Sequence, residues 1–128
     1  MDELINELIK SSIKAKNKSY SPYSRFKVGA SILTKSNKIF TGANVECASY
    51  SLTICAERVA AVKAISSGEK KFKYLAIATS RTQSDFPCGA CLQFLTEFSS
   101  NLKIIVVKSS REYKIYELKE LLPKNFIL

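Results

Sequence analysis

A chain of 128 residues with 46% apolar side chains can build one continuous core and leaves no material for a second domain. Its formal charge of +9 is spread over lysines that occur singly or in pairs (Lys14, Lys16, Lys18, Lys70, Lys71, Lys73) without interleaved aromatics, which describes a solvated surface rather than a nucleic-acid face. No apolar run is long enough to cross a membrane, and the amino-terminal stretch lacks the uninterrupted apolar run of a signal peptide, so a cytoplasmic setting with reduced thiols is expected.

Leu4, Ile5, Leu8, Ile9 and Ile13 recur at helical spacing and predict a first helix near residues 2 to 16, with a break at Ser21-Pro22. The run Phe26 to Leu33 reads as a strand, Lys35-Ser36-Asn37-Lys38 as a polar turn and Ile39-Phe40-Thr41 as the returning arm of a hairpin. A loop after Asn44-Val45-Glu46 leads to a helix from about Ile54 to Ser67, with Gly68 suited to a left-handed cap. Ala56, Ala60, Ala61 and Ala64 sit among Val59, Val62 and Ile65, so this helix is expected to be buried on more than one side.

Tyr74 to Thr79 and Lys103 to Lys108 are short, nearly continuous apolar runs of the kind buried strands show. Gly89 to Phe98 between them reads as a helix with Leu92, Leu95 and Phe98 on one face. Strand, helix, strand in that order implies a parallel pair joined by a crossover helix. With a strand at Tyr113 to Tyr116 and a helical turn through Leu122, the expected fold is α/β, with a mixed sheet of about five strands covered by helices.

The chemistry-bearing residues are concentrated in TICAERVA, with Cys55 and Glu57, and in PCGAC, with Cys88 and Cys91. The chain has four cysteines and no histidine, so thiolates are the only soft metal ligands it can offer. Three thiols and an open fourth position describe a catalytic zinc site, and the spacing Cys55-x-Glu57 followed by Pro87-Cys88-x-x-Cys91 is the signature of zinc deaminases, in which the glutamate carries protons. Other readings stand beside it. Cys88 and Cys91 could form a redox dithiol, Cys47 could close a structural site as a fourth ligand, and Glu57 could simply face a helix dipole. If it is not a ligand, Cys47 is expected to be a small buried apolar residue. Helix starts near Cys55 and Cys88 would place all three thiolates where unpaired N–H groups favour negative charge. Three thiolates leave a divalent ion with a formal charge of about −1, and Arg58 is the cation placed to offset it by donating to the ligand sulfurs.

Beyond this signature, SPYSRFKVGA (Ser21 to Ala30), TGANVE (Thr41 to Glu46), ASYSLTICAERVA (Ala48 to Ala60), PCGAC with Gln93, and ELLPKNF (Glu120 to Phe126) resemble the small homotetrameric cytidine deaminases over nearly the whole chain. The resemblance implies a three-layer α/β/α sandwich and one zinc ion per subunit held by Cys55, Cys88 and Cys91. It also implies Glu57 as proton carrier in the hydrolysis of cytidine and 2′-deoxycytidine during pyrimidine salvage. In that family Phe26 would flank the pyrimidine, Asn44 and Glu46 would hold the ribose 3′-hydroxyl, and the backbone at Ala56 and Cys88 would orient the base. Phe126 and Tyr50 would reach a neighbouring subunit's site. Related readings are a deaminase of a nucleoside antibiotic such as blasticidin S, a polynucleotide deaminase, and a noncatalytic zinc module. The chain departs from the family pattern at Cys47, where the family usually has Asn, and at Leu92, where it usually has Arg.

Overall fold

The computed structural model describes residues 1–81 and 85–128. Five strands form one sheet in the order β2-β1-β3-β4-β5: β1 (Val28–Thr34), β2 (Ile39–Ala43), β3 (Phe72–Thr79), β4 (Lys103–Ser109) and β5 (Glu112–Glu117). β1 pairs antiparallel with β2 and with β3, β3 and β4 are parallel, and β5 returns antiparallel on β4. The sheet is mixed because β3 and β4 are joined through helix α3 (Gly89–Phe98), and a crossover of that length delivers the next strand in the same direction. The turn between β1 and β2 uses Asn37 in a left-handed conformation (φ 67°), which asparagine tolerates better than most side chains.

Period-two alternation divides the apolar residues between the two faces of the sheet. Ile32, Leu75, Ile77, Ile104 and Val106 face a core shared with α2 (Ala56–Ser66), α3 and the short α4 (Leu118–Leu121). Leu33, Ala76, Ala78, Ile105 and Val107 face Ile5, Leu8 and Ile9 of α1 (Asp2–Ala15). The result is the expected three-layer sandwich. α1 comes so close to β1 that a Cβ on Gly29 would lie 2.1 Å from the Ser12 carbonyl oxygen, and the Ser31 hydroxyl donates to the Leu8 carbonyl at 2.6 Å. No helix among the described residues is long and apolar enough to cross a membrane.

Two features of α2 matter for the site. Its far end closes as the sequence predicts: Gly68 has φ +98°, its N–H reaches the Ile65 carbonyl at 2.9 Å, and the Glu69 N–H reaches the Ala64 carbonyl at 2.9 Å. Its near end starts at Ala56, later than the expected Ile54, because Ile54 is drawn into a bridge with Val45 that exchanges two backbone hydrogen bonds. Within the chain α2 is buried along the face made by Ala56, Ala60, Ala61 and Ala64, while Val62 on the opposite side is exposed. The expected burial on more than one side is therefore not supplied by this chain itself.

Candidate active site

Two of the three helices on the sheet's site-bearing face begin at thiols. Cys55 is the N-cap of α2 and Cys88 the N-cap of α3, each with extended backbone and without a side-chain capping hydrogen bond. Cys91 lies in the first turn of α3. The sulfurs of Cys55, Cys88 and Cys91 all fall within 4.8 Å of one another. A zinc ion about 2.3 Å from each thiolate sets tetrahedral sulfurs about 3.8 Å apart, so closing on the ion requires movements of at most about 1 Å. Cys47 is outside this cluster and is half-buried, not enclosed as expected. Its amide donates to the Thr53 hydroxyl at 3.1 Å, which keeps it on the loop at the rim.

The electrostatics suit an ion at this point. Taken on protein groups alone, Cys55 and Cys91 share a proton unequally: a hydrogen bond from Cys91, with the guanidinium of Arg58, holds Cys55 down to about 5. The same bond and burial push Cys91 up. Arg58 donates to the Cys55 sulfur at 3.6 Å and interacts also with Cys91, and its charge is reinforced by both. Its Nε is buried with no hydrogen-bond partner among the described residues, and the hydrogen bond that holds the guanidinium runs to the Cys55 sulfur. A cation held against thiolates offsets the excess charge of a three-sulfur centre, and the residues present fit zinc.

Glu57 is 4% exposed. Burial, with the charge of Cys55 beside it, pushes its carboxyl up to about 7, although a hydrogen bond with Cys91 and the charge of Arg58 pull the other way. A carboxyl balanced near neutrality can accept and return a proton without a large penalty in either direction.

These groups open on a cavity of about 240 Å³ lined by Phe26, Asn44, Glu46, Cys55, Ala56, Glu57 and Cys88, with Phe86 and Asp85 among the other walls. Two loops build the rim. Tyr20 and Val45 pair in a parallel bridge, and Val45 pairs with Ile54, which ties the segments before β1, after β2 and before α2 together. Arg25 has a left-handed backbone (φ 60°), a strained choice for a residue with a side chain, at the bend between Ser24 and Phe26.

Asn44 and Glu46 are largely committed to this scaffold. The Asn44 Oδ1 accepts from the Val28 N–H at 3.0 Å and from the Ser19 hydroxyl, and its Nδ2 donates to the Phe26 carbonyl at 2.8 Å, which leaves one N–H. The Glu46 Oε1 accepts from the Tyr23 and Ser24 amides, each at 3.1 Å, and its Oε2 accepts from the Ser24 hydroxyl, which leaves acceptor capacity on Oε2. The Ser24 hydroxyl, followed by these amides, holds the Glu46 carboxyl below the usual carboxylate range. Among the described residues Asn44 and Glu46 thus keep one donor and one acceptor on the lining of the same cavity, a set that matches a hydroxyl group, which both accepts and donates.

The structure thus gathers Phe26, Asn44, Glu46, Cys55, Ala56, Glu57 and Cys88 around one cavity, with Cys91 and Arg58 directly behind. Tyr50 and Phe126 stand outside it, 59% and 69% exposed. Sequence reasoning missed Ser24, whose partner is 22 residues away. It also missed Arg81, whose guanidinium lies 4.9 Å from the Phe26 ring centroid while bonded to Asp85. Neither has a signal in residue spacing, since both act through contacts between separate loops.

Clustered thiols at paired helix starts, a buried carboxyl near neutrality and an adjoining cavity are the equipment of a zinc-dependent hydrolytic enzyme. Residues 2–108 match the model of the cytidine and deoxycytidylate deaminase zinc-binding region. The chain is 42% identical over 125 residues to a probable cytidine deaminase of Dictyostelium discoideum, covering 97% of this chain and 84% of that one. It is 40% identical over 120 residues to a cytidine deaminase of Halalkalibacterium halodurans, covering 93% and 91% respectively. The crystal structure of cytidine deaminase from Burkholderia pseudomallei superposes with a TM-score of 0.88 at 36% identity, covering 94% of this chain and 97% of that one. The chain belongs to the cytidine and deoxycytidylate deaminase family, and its catalytic class is that of a hydrolase.

Proposed function

We propose that this chain, as one catalytic domain over residues 1–128, hydrolyses the exocyclic amine of cytidine and 2′-deoxycytidine to the uridine product and ammonia. The observation that carries this reading is the buried Glu57, pushed up to about 7, beside three thiols whose sulfurs lie within 4.8 Å of one another. Zinc bound by Cys55, Cys88 and Cys91 supplies a Lewis acid that lowers the pKa of water. Glu57 takes the proton of the attacking water, delivers it to N3 of the ring as the oxygen adds at C4, and then carries the proton of the new C4 hydroxyl to the amine as the C4–N bond breaks, leaving C4=O and ammonia. Arg58 compensates the charge of the thiolates, Phe26 flanks the pyrimidine, and the backbone at Ala56 and Cys88 orients the base edge. The remaining N–H of Asn44 and the remaining acceptor site of Glu46 hold a free sugar hydroxyl, which favours a nucleoside over a polynucleotide.

Tyr50 and Phe126 belong to neighbouring sites in a homotetramer. Both rings are exposed in the single chain, as are Tyr20, Tyr23, Val45, Leu52 and Ile54 around the same rim and Val62 on α2. An apolar collection of this kind is what a partner subunit covers. The setting is cytoplasmic, and the role is pyrimidine salvage.

The test is ammonia release by zinc-loaded protein from cytidine, a cytosine-containing oligonucleotide and blasticidin S, with Glu57→Gln as control and light scattering on the same sample. Turnover of cytidine alone, lost in the control, supports the reading; turnover of another substrate moves the function, and a fully active monomer refutes the shared site.

A further inference from the structure

Gln93 lies on α3, two residues beyond Cys91, and its side-chain amide is paired with the backbone of Phe126. The Phe126 N–H donates to Gln93 Oε1 at 2.8 Å, and Gln93 Nε2 donates to the Phe126 carbonyl at 3.1 Å. The two bonds close a ring, as a pair of strands does at a hydrogen-bonded position. One such bond fixes a distance; two fix the rotation of both peptide planes flanking the residue, and therefore the direction in which its side chain leaves. The same carbonyl accepts a long bond from Asn125 Nδ2 at 3.4 Å. Among the described residues, Gln93 is the one side chain outside the tail that hydrogen-bonds residues 123–128. The group so carefully held is a phenyl ring that is 69% exposed and touches no other ring at stacking distance among the described residues.

A clamp on an exposed aromatic residue contributes little to the chain's own core. It does reduce the ordering entropy the tail must lose when that ring enters a pocket. We propose that Gln93 is a positioning residue for a neighbouring subunit's site: it presents Phe126 in the orientation in which the ring meets that subunit's bound base. This rests on the reading that Phe126 closes a neighbour's pocket. α3 then serves two sites at once, its N-cap and first turn carrying Cys88 and Cys91 for its own subunit and its second turn aiming an aromatic ring at the next.

A double-mutant cycle tests this on the zinc-loaded oligomer, with KM and kcat for cytidine, zinc content and mass by light scattering measured for Gln93→Ala, Phe126→Ala and the double variant. Gln93→Ala is expected to raise KM about tenfold, with kcat changed less than about twofold and zinc and mass unchanged, as loss of two neutral hydrogen bonds predicts. In the Phe126→Ala background the same change should add nothing. Gln93→Glu, which keeps the acceptor and loses the donor, should recover part of the loss. A damaging Phe126→Ala beside a neutral Gln93→Ala, or an equal Gln93→Ala penalty in both backgrounds, overturns the clamp while leaving the shared site standing. A neutral Phe126→Ala removes the shared-site reading and the clamp with it, and loss of zinc or of mass in Gln93→Ala assigns the residue a structural role instead.

Discussion

Gly42→Ala offers a direct test of how the site is positioned. Gly42 is on β2 where α2 begins, and a Cβ built there would lie 2.5 Å from the Ala56 carbonyl oxygen, 2.5 Å from the Ala60 nitrogen and 3.0 Å from the Val59 Cβ. Two of these atoms are backbone, so no change of rotamer relieves the clash. A carbon and an oxygen rest comfortably at about 3.4 Å, which means α2 must retreat from the sheet by about 0.9 Å. Overpacking of this kind costs about 1–3 kcal/mol, a fall of roughly 3–10 °C in Tm for a domain of this size. The larger effect is on chemistry. α2 carries Cys55 and Glu57, whereas Cys88 and Cys91 ride on α3, and the three atoms nearest the added Cβ all belong to α2. Moving one helix and not the other displaces the proposed proton carrier relative to the reacting carbon, and a misplacement near 1 Å costs about a hundredfold in kcat/KM. Calorimetry, metal analysis and steady-state assay with cytidine read the three consequences separately. A variant with lowered Tm and unchanged kcat/KM would refute the link between helix placement and catalysis; unchanged values of both would refute the close approach itself.

Glu57→Gln keeps the shape of the side chain and removes the proposed proton carrier, so kcat should fall about 10²–10⁴-fold with zinc content unchanged, and retained kcat would take Glu57 out of the reaction. Arg58→Ala should weaken zinc binding by about 10–100-fold in chelator competition, and Arg58→Lys should restore only part of it because an ammonium cannot fork between two sulfurs. Glu46 gives a pH signature: the Ser24 hydroxyl, then the Ser24 and Tyr23 amides, hold its carboxyl below the ordinary value of 4.5. Its contribution is complete above the unfolded pKa and is lost as pH falls through the lower folded one. KM for cytidine should therefore stay flat through the ordinary carboxylate range and rise only below it, and Ser24→Ala should move that rise to higher pH; superimposable KM profiles would exclude the contact.

Much of the fold was legible because it depends on neighbours in sequence. Alternating apolar residues in β3 and β4, the polar turn at Asn37 and the cap at Gly68 each carry their own local cause, and the structure reproduces them. The thiol cluster was legible for a different reason: with no histidine, the chain leaves few donors from which to assemble a metal site. What escaped depends on segments distant in sequence. α2 starts at Ala56 because Val45 captures Ile54, and Cys47 stays half-buried because its amide is tied to Thr53 on the rim. The resemblance places Asn44 and Glu46 at a sugar but is silent on how far each is committed to the loops around Phe26 and Ser24. The outer face of α2 is the most instructive case. Its apolar composition forecast burial, yet Val62 is exposed in the single chain, since periodicity does not distinguish a residue covered by its own fold from one covered by another molecule.

The strand order β2-β1-β3-β4-β5 also has a consequence in time. Once the first hairpin has formed, β3 joins the free edge of β1 and β4 and β5 each join the edge left open by the strand before, so the sheet can lengthen as the chain leaves the ribosome, without any strand having to be inserted between two already paired. The clustered thiols arrive in two instalments on this schedule. Cys55 emerges 36 residues ahead of Cys91, an interval of about 2–7 s at ordinary rates of synthesis. Until Cys88 follows, 33 residues behind, the first thiol has neither of the other two, and a site that ends as three gathered sulfurs begins as a single one on a growing chain.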